Sequence, residues 1–102
     1  MLDAPWHAAA MASPRDPDVH LRHAFVRDGR LTALPSRRPM TLAACRFLAE
    51  RFEPERRYEE AEVNAMLGMD GPDHATLRRL LVDEGYLERE RGIYRRTDPP
   101  SP

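Results

Sequence analysis

The chain has 102 residues, a formal net charge of −1, and 41% hydrophobic against 32% charged residues, which suits one globular domain with a thin core and a wet surface. Near-neutral charge excludes a uniformly basic nucleic-acid binder. The single cysteine, Cys45, excludes an internal disulfide framework and points to a reducing, cytoplasmic setting. No apolar run approaches the roughly 18 residues of a membrane span.

All 16 cationic residues are arginine, so lysine Schiff-base chemistry is excluded, and the charge is unevenly spread. Residues 36–58 hold six arginines against three glutamates, residues 59–72 hold four acids and no cation, and residues 73–102 hold six of each sign.

Residues 1–17 carry three prolines and little apolar bulk, which reads as a disordered arm without a signal peptide; Met11 is a second candidate start. A single domain is expected over 18–97, and 98–102 reads as a disordered tail. Within 24–34, Ala24-Phe25-Val26 and Leu31-Thr32-Ala33-Leu34 flank Asp28-Gly29, the pattern of a tight hairpin. A first helix is predicted over about 40–52. Met40, Ala44, Phe47, Leu48 and Phe52 form its apolar stripe, Thr41 or the preceding prolines start it, and Glu53-Pro54 ends it. A second is predicted over about 59–68, with Val63, Met66 and Leu67 buried, acids in its first turn and Gly68 as its stop. Tyr58 is expected just outside it, packing on the first turn.

A third helix is predicted over about 73–84. Asp73 is its N-cap, with Asp70 as the rival, and Gly85 is its stop. Leu77, Leu80 and Leu81 face the core. The period then switches to alternation, and Tyr86–Glu90 and Ile93–Arg96 flank an Arg91-Gly92 turn. Three helices followed by a hairpin is the order of a winged helix-turn-helix, a mainly α architecture of the α+β class with small β-hairpins. The Gly85 stop and the Arg91-Gly92 turn favour this over a three-helix bundle with a loose tail.

Tyr58-x-Glu60-x-Glu62-Val63-Asn64, Leu77-Arg78-Arg79-x-Leu81-Val82-Asp83-x-Gly85 and Gly92-x-Tyr94-x-Arg96, with Gly29-Arg30-Leu31 upstream, resemble the bacterial domain-of-unknown-function family 2087 over about residues 24–96. Gly71-Pro72 and Arg37-Arg38 depart from the family pattern. The resemblance implies a stand-alone domain or a partner of ArsR-type repressor helix-turn-helix domains, and so a role in transcription control. Tyr58, Glu60, Glu62, Val63, Asn64, Leu77, Leu81, Asp83, Gly85 and Tyr94 are the motif residues expected to serve structure.

The candidate nucleic-acid contacts are His74, Thr76, Arg78 and Arg79 on the third helix, Arg91 on the hairpin, and Arg37 and Arg38 before the first helix. Arginine reads guanine bidentately or holds phosphate. Each has a plainer alternative. Arg78 or Arg79 can pair with Glu60 or Glu62. The hairpin arginines Arg89, Arg91, Arg95 and Arg96 can pair across strands with Glu88 and Glu90. Arg37 and Arg38 lack acidic neighbours in sequence and read as the least neutralised pair.

Glu60 and Asn64 lie one helical turn apart and suit capping and inter-helix hydrogen bonds better than a metal. His20 and His23 have a spacing that can share a metal, but no third ligand is near. Cys45 reads as a core residue without an activating histidine. No catalytic, cofactor or metal motif is present, so a non-enzymatic domain is expected. Its partner is double-stranded DNA or, alternatively, a protein such as a transcription regulator, and the chain is expected as a monomer or weak homodimer.

Overall fold

The computed structural model describes residues 16–99. Over these residues it is an α+β fold of four helices and two small antiparallel sheets. The expected arm lies outside the described residues except for Asp16 and Pro17, which open helix α1 (Pro17–Phe25). The Asp16 carboxylate accepts the Asp18 N–H at 3.0 Å, and Pro17 sits in the first turn, where its missing N–H costs nothing. This helix was not expected. Leu21 is its one buried residue, so there is no apolar stripe for periodicity to reveal.

α1 runs into a hairpin shorter than the sequence suggested, β1 (Val26–Arg27) and β2 (Arg30–Leu31), with Val26 opposite Leu31. Ala24 and Phe25 belong to α1 instead of the strand. Thr32 closes the unit by donating its N–H and its hydroxyl to the Phe25 carbonyl, at 2.7 and 3.0 Å. Asp28 and Gly29 both take positive φ, 53° and 76°, as a two-residue turn of this hand requires.

Helix α2 (Arg38–Ala49) begins in the proline stretch, where the Thr41 hydroxyl lies 3.0 Å from the carbonyls of both Pro35 and Arg37. It ends three residues before the expected stop. The N–H groups of Arg51 and Phe52 bond the carbonyls three residues back, at 3.1 and 3.0 Å, so the chain leaves in a tighter turn. That turn still delivers Phe52 into the core.

Strand β3 (Arg57–Glu59) leads directly into helix α3 (Glu60–Leu67), and a six-residue turn leads to helix α4 (His74–Asp83). Strands β4 (Leu87–Glu90) and β5 (Ile93–Arg96) complete a sheet ordered β3-β5-β4. Tyr58 lies just outside the helix as expected, and there it is a strand residue opposite Tyr94. Its hydroxyl accepts the Glu53 N–H at 2.7 Å, and its ring meets Phe52 edge-on with centroids 5.1 Å apart. α4 is capped by Asp73, which accepts the Thr76 N–H at 3.3 Å.

Asp70, the rival cap, does other work. Its carboxylate is fully buried and forks onto Arg51 at 2.7 and 2.8 Å, while also accepting the Leu31 N–H at 2.7 Å. Arg51 extends to the carbonyls of Met66 and Gly29. One ion pair thus ties the β1–β2 hairpin and the end of α2 to the turn between α3 and α4.

Gly71 completes that junction. Its N–H bonds the Leu31 carbonyl at 2.8 Å, and a Cβ there would stand 2.1 Å from the Thr32 oxygen. Glycine at this position is what permits the close backbone crossing.

The core joins Leu21, Leu31, Met40, Ala44, Leu48 and Phe52 to Val63, Leu67, Leu77, Leu81 and Leu87, with Tyr58 and Tyr94 as its aromatic floor. Cys45 is buried among them, and its thiol is pushed up to about 12, chiefly by burial and next by the Glu84 charge. No helix is long and apolar enough to cross a membrane among the described residues.

Candidate functional site

On α4 the core takes Leu77 and Leu81, with Leu80 half-buried beside them. Asp73, Thr76, Arg79 and Asp83 lie on the opposite side and are exposed, a spacing that keeps the last three on one face. His74 and Arg78 are half-buried flanks of that stripe. The helix therefore presents Thr76 and Arg79 outward as expected, while Arg78 is partly withdrawn.

Arg78 reaches across to α3 and donates to the Asn64 side-chain carbonyl. The expected carboxylate partners are engaged elsewhere. Glu60 accepts the Tyr94 hydroxyl at 3.1 Å. Glu62 accepts the Glu59 N–H at 3.1 Å, completing the helix start, and also binds Arg56 at 3.2 Å. Arg78 is thus held by a neutral amide and keeps its charge uncompensated. The Tyr94 phenol is raised by burial first and by its bond to Glu60 second, so it stays protonated and donating.

These contacts bring together four of the marked sequence positions, Glu60, Asn64, Arg78 and Tyr94, beneath a groove between α4 and the β4–β5 hairpin. The groove encloses about 230 Å³ and is lined by Arg78, Arg79, Val82, Asp83, Arg89 and Tyr94. Arg89 lies opposite Tyr94 in the strand register, and its guanidinium sits 5.9 Å from the tyrosine ring centroid. Arg89 is thus not one of the cross-strand ion pairs of a solvated face that its glutamate neighbours suggest. Its parity with the buried Leu87 was the signal that it stands on the α4 side of the sheet.

The other hairpin arginines divide. Arg95 pairs with Glu88 at 2.5 Å on the outer face. Arg96 turns inward to the Phe52 carbonyl at 3.1 Å. Arg91 occupies the turn with φ of 53°, followed by Gly92 at 80°. An unbranched cation in the left-handed region is uncommon, since Asn, Asp and Gly are the usual occupants. Among the described residues, no carboxylate stands within ion-pair distance of Arg78, Arg79, Arg89 or Arg91.

Arg37 and Arg38 do not join this surface as a free pair. Arg38 grips Glu84, beyond the end of α4, with two bonds of 3.1 and 3.0 Å. A carboxylate 46 residues away neutralises it, which sequence proximity cannot reveal. Arg37 is exposed and lies at the start of α2.

His20 and His23 sit on α1, and no group of three or more metal-ligating side chains occurs among the described residues. Gly85 ends α4 as expected, its N–H bonding the Val82 carbonyl at 3.1 Å.

The chain is thus an α+β domain whose marked polar positions converge on a groove between its last helix and its hairpin. Residues 30–96 match the family described as "Uncharacterized protein conserved in bacteria (DUF2087)", and the chain belongs to that family. No curated protein and no solved structure matches the chain.

Proposed function

We propose that this chain is a winged helix-turn-helix domain that binds double-stranded DNA in cytoplasmic transcription control, with α4 as the reading helix and the β4–β5 hairpin as the wing. The observation that carries the reading is one of placement. The outward Arg79 of α4 lines the groove beside the hairpin together with Arg78 and Arg89, and none of the three has a carboxylate partner among the described residues, nor has Arg91 at the hairpin tip, which borders the outer sheet face. Three features support the architecture. A short turn joins α3 to α4, the hairpin follows α4 directly, and β3 pairs beside it in the order β3-β5-β4. The arginine kept at the strained turn position, where Asn is the cheaper residue, supports a role for the hairpin tip beyond folding.

Fluorescence anisotropy of a labelled mixed-sequence duplex tests the proposal. Affinity is expected to fall steeply between about 50 mM and about 200 mM salt, as counterion release demands. Absence of binding at the lower salt overturns it.

The outer sheet face favours a second reading, a protein-interaction module of the same fold docking a transcription regulator. That face sets Glu59, Glu88 and Glu90 against Arg57 and Arg95 around Ile93, a mixed-charge surface of the kind that partners recognise by complementarity. A chain that ignores duplex DNA but retains a regulator partner distinguishes it.

A further inference from the structure

The α4–hairpin groove concentrates arginines that have no carboxylate partner among the described residues. Elsewhere six arginines are spent on carboxylates or carbonyls, Arg38 on Glu84, Arg46 on Asp18, Arg51 on Asp70, Arg56 on Glu53 and Glu62, Arg95 on Glu88 and Arg96 on Asp98 and the Phe52 carbonyl, while Arg22, Arg27, Arg30, Arg37, Arg57 and Arg91 have no carboxylate partner among the described residues. The groove gathers three guanidinium groups, none of them paired with a carboxylate among the described residues, and admits one carboxylate, Asp83, whereas the outer-face concavity holds Arg57, Arg91 and Arg95 with Glu88 and Glu90, and Arg95 is paired there. Each of the three is positioned differently. Arg78 is anchored by Asn64. Arg89 is steadied over the Tyr94 ring, itself fixed by Glu60. Arg79 stands exposed at the rim. Anchoring two long side chains before a ligand arrives lowers the entropy that binding must overcome.

We propose that this groove is a phosphate-binding site in which Arg79 and Arg89 grip the anion from the helix and from the strand, with Arg78 as a fixed charge at its floor. Guanidinium forks match the oxygen spacing of phosphate and hold it by charge-assisted hydrogen bonds. Within the DNA-binding reading, on which this assignment rests for its natural source, the phosphate belongs to the strand that passes between reading helix and wing. The same chemistry fits a free oligophosphate. The site differs from a hairpin-tip contact: Arg89, on the inner side of β4, carries the binding, and the tip residue Arg91 does not complete it.

Two measurements separate the site from the reading. In the first, inorganic pyrophosphate is titrated into the full chain and followed by amide chemical shifts. Saturable shifts at Arg79, Val82, Asp83, Arg89 and Tyr94, abolished in Arg79→Ala/Arg89→Ala but kept in Arg91→Ala, are expected. Shifts that stay scattered, or that survive the double substitution, overturn the site. In the second, duplex affinity is measured against salt for the same variants. Each lost phosphate contact is expected to lower the slope of log affinity on log salt by roughly 0.9, which is about a threefold difference in affinity change between about 50 mM and about 200 mM salt. Losing Arg79 and Arg89 together should flatten the slope by nearly two such steps. A duplex that binds with an unchanged slope in the double variant overturns the site and leaves the DNA reading standing. Pyrophosphate that binds at the groove of a protein indifferent to duplex removes the DNA reading and leaves the site, with a free oligophosphate as its ligand. Thermal unfolding of each variant at the wild-type temperature checks that both exposed arginines were removed from a folded chain.

Discussion

Replacing Asp70 by Ala removes the one carboxylate buried among the described residues. Its side chain has no exposed surface, whereas Arg51 keeps 23% of its own. The substitution strands a partly buried guanidinium and leaves the Leu31 N–H without its 2.7 Å acceptor. Breaking a buried pair from one side costs about 3–5 kcal/mol, because the remaining charge stays desolvated. A domain of this size holds roughly 4–13 kcal/mol in total, so the loss takes a large share of it. Urea unfolding followed by circular dichroism is the assay. With a slope near 1 kcal/mol per molar, the midpoint should fall by about 3 M or the chain should be unfolded without denaturant. Asp18→Ala is the control, since its pair with Arg46 lies at the surface with Asp18 54% exposed, and it should cost about 0–1 kcal/mol. An Asp70→Ala loss no larger than the control would refute the reasoning that this ion pair fastens the α3–α4 turn to the first hairpin.

Gly71→Ala should destabilise by about 1–3 kcal/mol in the same assay, because the new Cβ would overlap the Thr32 carbonyl and neither backbone can move without breaking the Leu31 bond. Arg91→Asn should raise stability by about 0.5–1 kcal/mol, since Asn accepts the left-handed turn geometry more easily, while weakening duplex binding at low salt. Cys45 should resist thiol reagents at pH 8 until the chain unfolds. Its folded thiol lies at about 12 against an ordinary 9.0, so its contribution to stability is complete below pH 9 and is lost as pH rises towards 12. Cys45→Ala should flatten the alkaline limb of a stability–pH curve; an unchanged limb would place the titration elsewhere.

The elements that sequence reveals here are those with a stripe or a turn signature. α2, α3 and α4 carry apolar residues at helical spacing, and Asp28-Gly29 and Arg91-Gly92 are turn pairs whose φ values are positive in the structure. α1 and β3 escape that kind of reading. α1 buries only Leu21, and β3 is three residues long with one buried position, so neither supplies a period. Among the site residues, Thr76 and Arg79 were legible because helical geometry fixes which positions oppose Leu77 and Leu81. The partners of Arg38 and Arg78 were not. Glu84 lies 46 residues from Arg38, and Asn64 outcompetes two nearby carboxylates for Arg78, so only packing decides them. Glu60 is unavailable to Arg78 because Tyr94, from β5, has claimed it.

The most direct test of the account is a map of backbone amide shifts on adding a mixed-sequence duplex at low salt. The account expects perturbations along Thr76, Arg79 and Asp83 and on β4 through Arg91, with α1 and the α2 surface around Phe47 silent. Perturbations centred on α1 and α2, or none at all, would contradict the assignment of α4 and its hairpin as a nucleic-acid interface.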